Sequence, residues 1–337
     1  MSLPPSEIPS GAMRFNSDSQ KLEYWDGSQW VQVHTFSPNL NGGARGVWAG
    51  GLNPGAGGYQ DVIDYANISS TGDATDFGDL TGGRGMLSGL ASNTRAVFMG
   101  GYTPPRLDTI DYITIASTGD AIDFGDLITA TARAGAASNQ TRGIYAGGDG
   151  NAPLTAGVTT INYITIASTS DSIDFGELTA VTKQCGSVAS PTRGVFGAGQ
   201  NPGFTNVIHF VTIASLGDAQ DFGDTTVARA SVGGASNSIR GLFMAGNIPG
   251  NNTNIIDYIT IATTGNAVDF GDLTGIRNSP GCCASSTRGL SGGGGIPGYI
   301  DVMDYVNILS QGNAIDFGDL TQSRNNLTAA SNAHGGL

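Results

Sequence analysis

Positive charge is scarce in this chain: 15 Lys and Arg stand against 28 Asp and Glu, a formal charge of −13. So acidic a surface lacks the basic stripe with which proteins grip nucleic acid or an anionic bilayer. Long apolar runs are missing as well. None approaches the ~20 residues of a spanning helix, so neither a nucleic-acid partner nor membrane insertion is expected. Cysteine is limited to Cys185, Cys282 and Cys283. That odd number, outside any repeating position, implies no disulfide framework and no metal box. Met1-Ser-Leu-Pro-Pro-Ser6 has neither the basic nor the apolar part of a secretory leader, and synthesis in a reducing cytoplasm is the expectation. Helical periodicity is nearly absent. Glycine, by contrast, is abundant at 53 of 337 residues, and without a Gly-X-Y period it excludes collagen.

What is present is a repeat. Asp76-Phe-Gly-Asp-Leu80 returns as Asp123-Phe-Gly-Asp-Leu127, Asp174-Phe-Gly-Glu-Leu178, Asp221-Phe-Gly-Asp-Thr225, Asp269-Phe-Gly-Asp-Leu273 and Asp316-Phe-Gly-Asp-Leu320, at spacings of 47, 51, 47, 48 and 47 residues. A period of this size marks a solenoid, an array or a propeller. Within residues 84–127, four β-rich stretches are separated by turn signals: 84–93, 95–101, 108–115 and 121–127. In the third, Ile110, Tyr112 and Thr114 alternate with Asp111, Ile113 and Ile115; Ser117-Thr-Gly-Asp120 then supplies a tight turn. Four strands per repeat and six repeats predict an all-β, six-bladed β-propeller. The phase of the chain predicts how the ring closes. The first unit starts on a second strand at Arg45, and the last ends on a first strand at 324–332. One C-terminal and three N-terminal strands would therefore share a blade, which removes the open edges.

The order Arg, strand, Gly-Gly, Asp-Tyr, Phe resembles the kelch repeat, as in the central domain of galactose oxidase. The glycine pair is Gly50-Gly51, Gly100-Gly101 and Gly147-Gly148, reduced to Ala198-Gly199 and Ala245-Gly246. The likeness implies a propeller over residues 41–337. It departs from the family in that Phe124, not a Trp soon after the Tyr, follows Tyr112. No position matches the family's copper ligands, and no cofactor is implied.

Nearly all the cations are locked to the repeat. Arg45, Arg95, Arg142, Arg193, Arg240 and Arg288 form one set; Arg84, Arg133, Lys183, Arg229, Arg277 and Arg324 form another. The pentapeptides supply carboxylates to match, led by Asp76, Asp123, Asp174, Asp221, Asp269 and Asp316. A ring of structural ion pairs between the first set and these aspartates is the expectation, because the Arg fork takes a carboxylate bidentately. Calcium binding and acid–base catalysis by paired carboxylates are the alternatives. An active site occurs once, however, and these carboxylates occur six times. No catalytic constellation emerges: His209 stands where other repeats carry Asp or Asn, and Cys282-Cys283 reads as a small buried pair.

Residues 1–40 differ. After a Pro-rich arm come three short strand-like stretches with turns at Ser17-Asp-Ser-Gln20 and Asp26-Gly-Ser28. Met13-Arg-Phe-Asn16, Leu22-Glu-Tyr-Trp-Asp-Gly27 and Trp30-Val31 resemble a module of tail-fibre and other virion proteins of tailed phages. That resemblance implies an attachment segment with Phe15, Tyr24, Trp25 and Trp30 at its interface. It also implies a virion protein made in the host cytoplasm, partnered by capsid or tail proteins and by copies of itself. Sequence variation among the repeats gathers after the glycine pair, where Tyr59, Tyr102, Phe204 and Tyr299 are candidates for binding a host glycan or protein. The expected function is a non-enzymatic structural or adhesion protein of a virion. A carbohydrate-binding propeller outside a virion, and a polysaccharide-degrading enzyme, are the alternatives.

Overall fold

A computed structural model of the chain describes residues 8–16, 21–32 and 44–336. Residues 1–7 of the expected arm, the turn at 17–20 and His34 lie outside them. The described chain is all-β and antiparallel, with no α-helix. It divides into two compact units, residues 1–43 and 44–337.

The smaller unit holds a three-stranded sheet of Met13–Asn16, Lys21–Trp25 and Trp30–Gln32. Its pairs Met13↔Tyr24, Phe15↔Leu22 and Tyr24↔Val31 collect apolar residues on one face. The other face carries Arg14, Glu23, Trp25 and Trp30. Trp25 packs on Trp30 at 5.5 Å, and the Arg14 guanidinium lies 4.1 Å from the Trp30 ring centroid.

The larger unit contains six sheets of four strands; the fifth also takes up the short strand Asn247–Ile248. The second sheet shows the plan: Ser88–Ala91, Arg95–Met99, Thr109–Thr114 and Ile122–Asp126. The third to sixth begin at Gly135–Ser138, Gly186–Ala189, Gly233–Ser236 and Gly281–Ala284. The first sheet joins the two ends of the unit, with Thr328–Ser331 beside Arg45–Ala49, followed by Val62–Asn67 and Thr75–Asp79. Apolar clusters fill the spaces between consecutive sheets. Phe98, Ile113 and Leu87 of the second sheet pack on Val47, Ile63 and Phe77 of the first. Phe317, Leu320 and Met303 of the sixth pack on Trp48 and Ile68, again of the first. Burial on both faces explains why the second strands read as continuous rather than alternating apolar runs.

Three circuits of contacts run through all six sheets and return to the first. On the inside, the residues just before each first strand are linked by backbone hydrogen bonds. Arg133 N–H donates to Met86, Gln184 to Arg133, Ser231 to Gln184, Ser279 to Ser231, Asn326 to Ser279 and Met86 to Asn326. All six residues have φ between 51° and 62°, a left-handed conformation that non-glycine residues seldom adopt. On the outside, each pentapeptide bonds the turn of the next sheet; Gly119 N–H donates to Phe77 O and, at the seam, Gly72 N–H to Phe317 O. Midway, each Arg of the first set donates to a carbonyl of the next sheet, from Arg45 to Ile115 O at 2.7 Å through to Arg288 to Ile68 O at 2.9 Å.

The end of the chain packs against the first strands, and His334 lines a small cavity with residues of all six. His334 Nε2–H donates to Ala91 O at 2.7 Å, while its Nδ1 accepts from Gly336 N–H at 3.0 Å. Both nitrogens are thus used by the neutral ring, and burial pushes its pKa down to about 4. A depressed histidine contributes stability that is complete above the ordinary value near 6.5 and is lost as pH falls toward 4. Wild type should therefore lose about 3 kcal/mol more than His334→Gln between pH 7 and pH 4. Parallel melting-temperature profiles for the two proteins would refute this.

Candidate functional site

The expected ion-pair ring between Arg95, Arg142, Arg193, Arg240 and Arg288 and the aspartates Asp76, Asp123, Asp174, Asp221, Asp269 and Asp316 does not form. Those carboxylates sit on the exposed side of each fourth strand. The arginines start the second strands and find nearer acceptors. Each stacks on an aromatic ring of its own sheet, with Arg95 over Tyr112 at 4.6 Å and Arg193 over Phe210 at 4.6 Å, and each donates to the next sheet's backbone. The ring beneath meets a Phe edge-on, as Tyr112 meets Phe124 at 5.8 Å.

Buried ion pairs form instead between four arginines of the second set and an Asp in the third strand of four sheets. Arg84–Asp111 is 2.8 Å, Arg229–Asp257 2.7 Å, Arg277–Asp304 2.6 Å and Arg324–Asp64 2.8 Å, with both partners buried. A Thr hydroxyl takes the other carboxylate oxygen, as Thr81 donates to Asp111 at 2.7 Å. Burial pushes the Asp64 carboxyl up and the Arg324 guanidinium down, each opposed by the other's charge.

Two consecutive repeats lack this pair. In the third and fourth sheets the Asp becomes Asn162 and His209, and the matching cation becomes Thr131 and Thr182. Thr131 is bonded by the Tyr145 hydroxyl, and His209 lies between Thr179 and Thr182 at 2.6 and 3.3 Å. His209 is therefore part of a neutral replacement, its pKa lowered chiefly by burial. Arg133 and Lys183 belong to different repeat positions from Arg84, so grouping them with it corrects to a register error of two residues and one.

From these positions the two cations meet a third. Arg106 donates through Nε and a terminal nitrogen to Asp149 at 3.1 and 2.9 Å. Arg133 reaches the same carboxylate at 2.9 Å, and the Lys183 ammonium lies 3.8 Å away. Asp149 is buried opposite Ala132, on a short strand following the Gly147-Gly148 pair. The Arg106 loop is clasped to the next by reciprocal bonds with Asn151 at 3.0 and 3.1 Å. Hydrogen bonding to Asp149 raises the Arg106 pKa. Among the described residues no second carboxylate lies in reach, so three cations share one anion.

Two aromatics continue the cluster. Tyr102 and Tyr59 meet edge to face at 5.7 Å, and the Arg106 guanidinium lies 5.7 Å from the Tyr102 ring centroid. Of the four loop aromatics expected at a binding face, the structure joins these two. Phe204 and Tyr299 lie in their own hairpins opposite Gln200 and Gly295. The antiparallel pair Met99↔Ser88 puts the glycine-pair loops and the starts of the first strands at one end. A cavity of about 140 Å³ opens there, lined by Arg133, Gln184, Ser231, Ser279 and Asn326 among others. Arg133 is its one charged lining residue.

In the small sheet, the four expected interface residues separate. Phe15 and Tyr24 are exposed, whereas Trp25 is buried and Trp30 half-buried on the opposite face. Gly289-Leu-Ser-Gly-Gly293 has the spacing of a serine elbow, but Ser291 lies buried inside a strand rather than at a strand-to-helix turn. The three cysteines are free and buried, and burial holds the Cys185 and Cys282 thiols at about 12. No protein-family model matches the sequence, and no match is found among curated proteins.

Proposed function

We propose that the six sheets are the blades of a closed, six-bladed, kelch-like β-propeller, and that the chain is a non-enzymatic adhesion or decoration protein of a tailed-phage virion. The three circuits that return to the first sheet support the propeller. The observation that carries the attachment role is the apolar face of the separate N-terminal sheet. There Met13 and Phe15 are 62% and 66% exposed, beside Leu22 and Tyr24. Two adjacent strands offering such side chains to solvent fit burial against a partner surface, and the partner is a capsid or tail protein of the particle. The propeller then serves as a rigid display scaffold.

The test is to locate labelled protein by electron microscopy in purified particles from its source, beside a Phe15→Glu variant. Expected is density at capsid or tail that the variant loses while melting as wild type does. Absence of wild type from particles refutes the virion role, and normal incorporation of the variant refutes this face as the contact.

A further inference from the structure

We infer that the cluster of Arg106, Arg133 and Lys183 on Asp149, of which Arg133 also lines the cavity, is a binding site for a carboxylate-bearing sugar. Three positive groups around the single carboxylate of Asp149 leave a local excess in a chain whose formal charge is −13. In a structural ion pair the charges cancel, as they do at Arg84–Asp111 and its three equivalents. Here they do not: two guanidinium groups and an ammonium share one carboxylate, and the Arg133 Nε–H, like that of each buried pair, is left without an acceptor. An incoming carboxylate would supply what the guanidinium lacks.

The neighbours define the rest of the ligand. Tyr59 and Tyr102, both half-buried and joined to the cluster where Arg106 lies over Tyr102, offer apolar ring surface of the kind against which the C–H face of a pyranose packs. Gln184, Ser231, Ser279 and Asn326 bring side-chain donors and acceptors around the cavity, matching a ring of hydroxyls better than an apolar ligand. A volume of about 140 Å³ admits several waters or one sugar-sized group. The site also breaks the repeat. Arg133 and Lys183 belong to the two neighbouring sheets in which the buried Arg–Asp pair is replaced. The inference builds on the reading of the propeller as a display scaffold, but its test uses the isolated protein and is independent of any particle.

Binding of oligogalacturonate to the full chain is measured by titration calorimetry at low salt, beside neutral galacto-oligosaccharide and inorganic sulfate. The expected result is binding of the uronate that weakens steeply with salt, with at least tenfold weaker binding of the neutral sugar and of sulfate. Arg133→Gln and Lys183→Gln should each weaken uronate binding at least tenfold while melting within a few degrees of wild type. Tyr102→Ala should weaken the uronate but leave sulfate unchanged, a separation that a purely structural role does not give. Uronate binding no tighter than sulfate reduces the site to one for free anions and overturns the sugar. Absence of uronate binding to wild type overturns the site itself. Should either charge variant fail to fold, its place is taken by competition: sulfate must displace uronate from wild type, and failure to do so overturns the proposal.

Discussion

Asp257→Asn should destabilise the protein by about 3–5 kcal/mol, because it strands a buried guanidinium. Arg229 and Asp257 are both completely buried, 2.7 Å apart, and the Arg229 Nε already has no acceptor. The amide keeps the carboxylate's shape and still accepts the Thr226 hydroxyl bond of 2.5 Å, so the loss reads charge rather than volume. At roughly 2 °C per kcal/mol for a unit of this size, the melting temperature should fall by roughly 6–10 °C. The molecule supplies its own rescue. The third sheet fills the same position without charge, with Thr131 and the Tyr145 hydroxyl bonded to each other and only the Asn162 Oδ1 left without a donor. Tyr145 stands where the fifth sheet has Phe243, so Arg229→Thr, Phe243→Tyr and Asp257→Asn together should recover at least half of the loss. A single variant that melts with wild type would show that the pair contributes nothing. A triple variant no better than the single would show that the neutral arrangement depends on its surroundings.

The strands were legible because β-branched and aromatic residues, turn glycines and the pentapeptide all share one period. The joining of Thr328–Ser331 to Arg45–Ala49 in one sheet followed from the phase of the chain, which begins on a second strand and stops on a first. Partner choice among charges was not legible. Arg95 and Arg84 look alike in sequence, but one begins a strand beside an aromatic ring and the other reaches a buried Asp. Direction along the sheet decides this, and spacing does not report it. Arg133 and Lys183 fall in the same gap after a pentapeptide as Arg84 but two residues and one further on, where a cation looks equivalent in sequence though a Thr holds the core position. The site at the loop face draws Arg106, Arg133, Asp149 and Lys183 from three repeats, and nothing local to any one of them marks the meeting. Tyr59 and Tyr102 were found because loop aromatics are conspicuous. The same criterion also selected Phe204 and Tyr299, which the structure leaves apart from them.

The second large effect concerns the glycine inside each pentapeptide. Gly125→Ala should cost about 3–5 kcal/mol, from a strained backbone together with overpacking. Gly125 has φ +144°, and an added Cβ would stand 2.5 Å from Ser170 O and 2.6 Å from its carbonyl carbon. That contact lies between the second and third sheets. Around it, Ser172 N–H donates to Asp126 O at 2.8 Å and Asp126 N–H to Asp171 Oδ1 at 3.1 Å. Room for the turn is what glycine provides; Phe124 next to it fills the core between the sheets, and Asp126 after it joins the turn through its backbone. The repeat is thus a seam between sheets rather than a ligand motif, and its leading Asp123 remains on the exposed side. Gly119→Ala separates strain from contact. Gly119 has φ +150° but no atom within 4 Å of an added Cβ, so it should lose only the strain, about 1–3 kcal/mol. Denaturant midpoints with unchanged slopes would give both numbers. Equal losses in the two variants would mean that the close approach of the sheets at Gly125 carries no energy. A larger loss at Gly125 would assign the recurrence of this glycine to the join between neighbouring sheets.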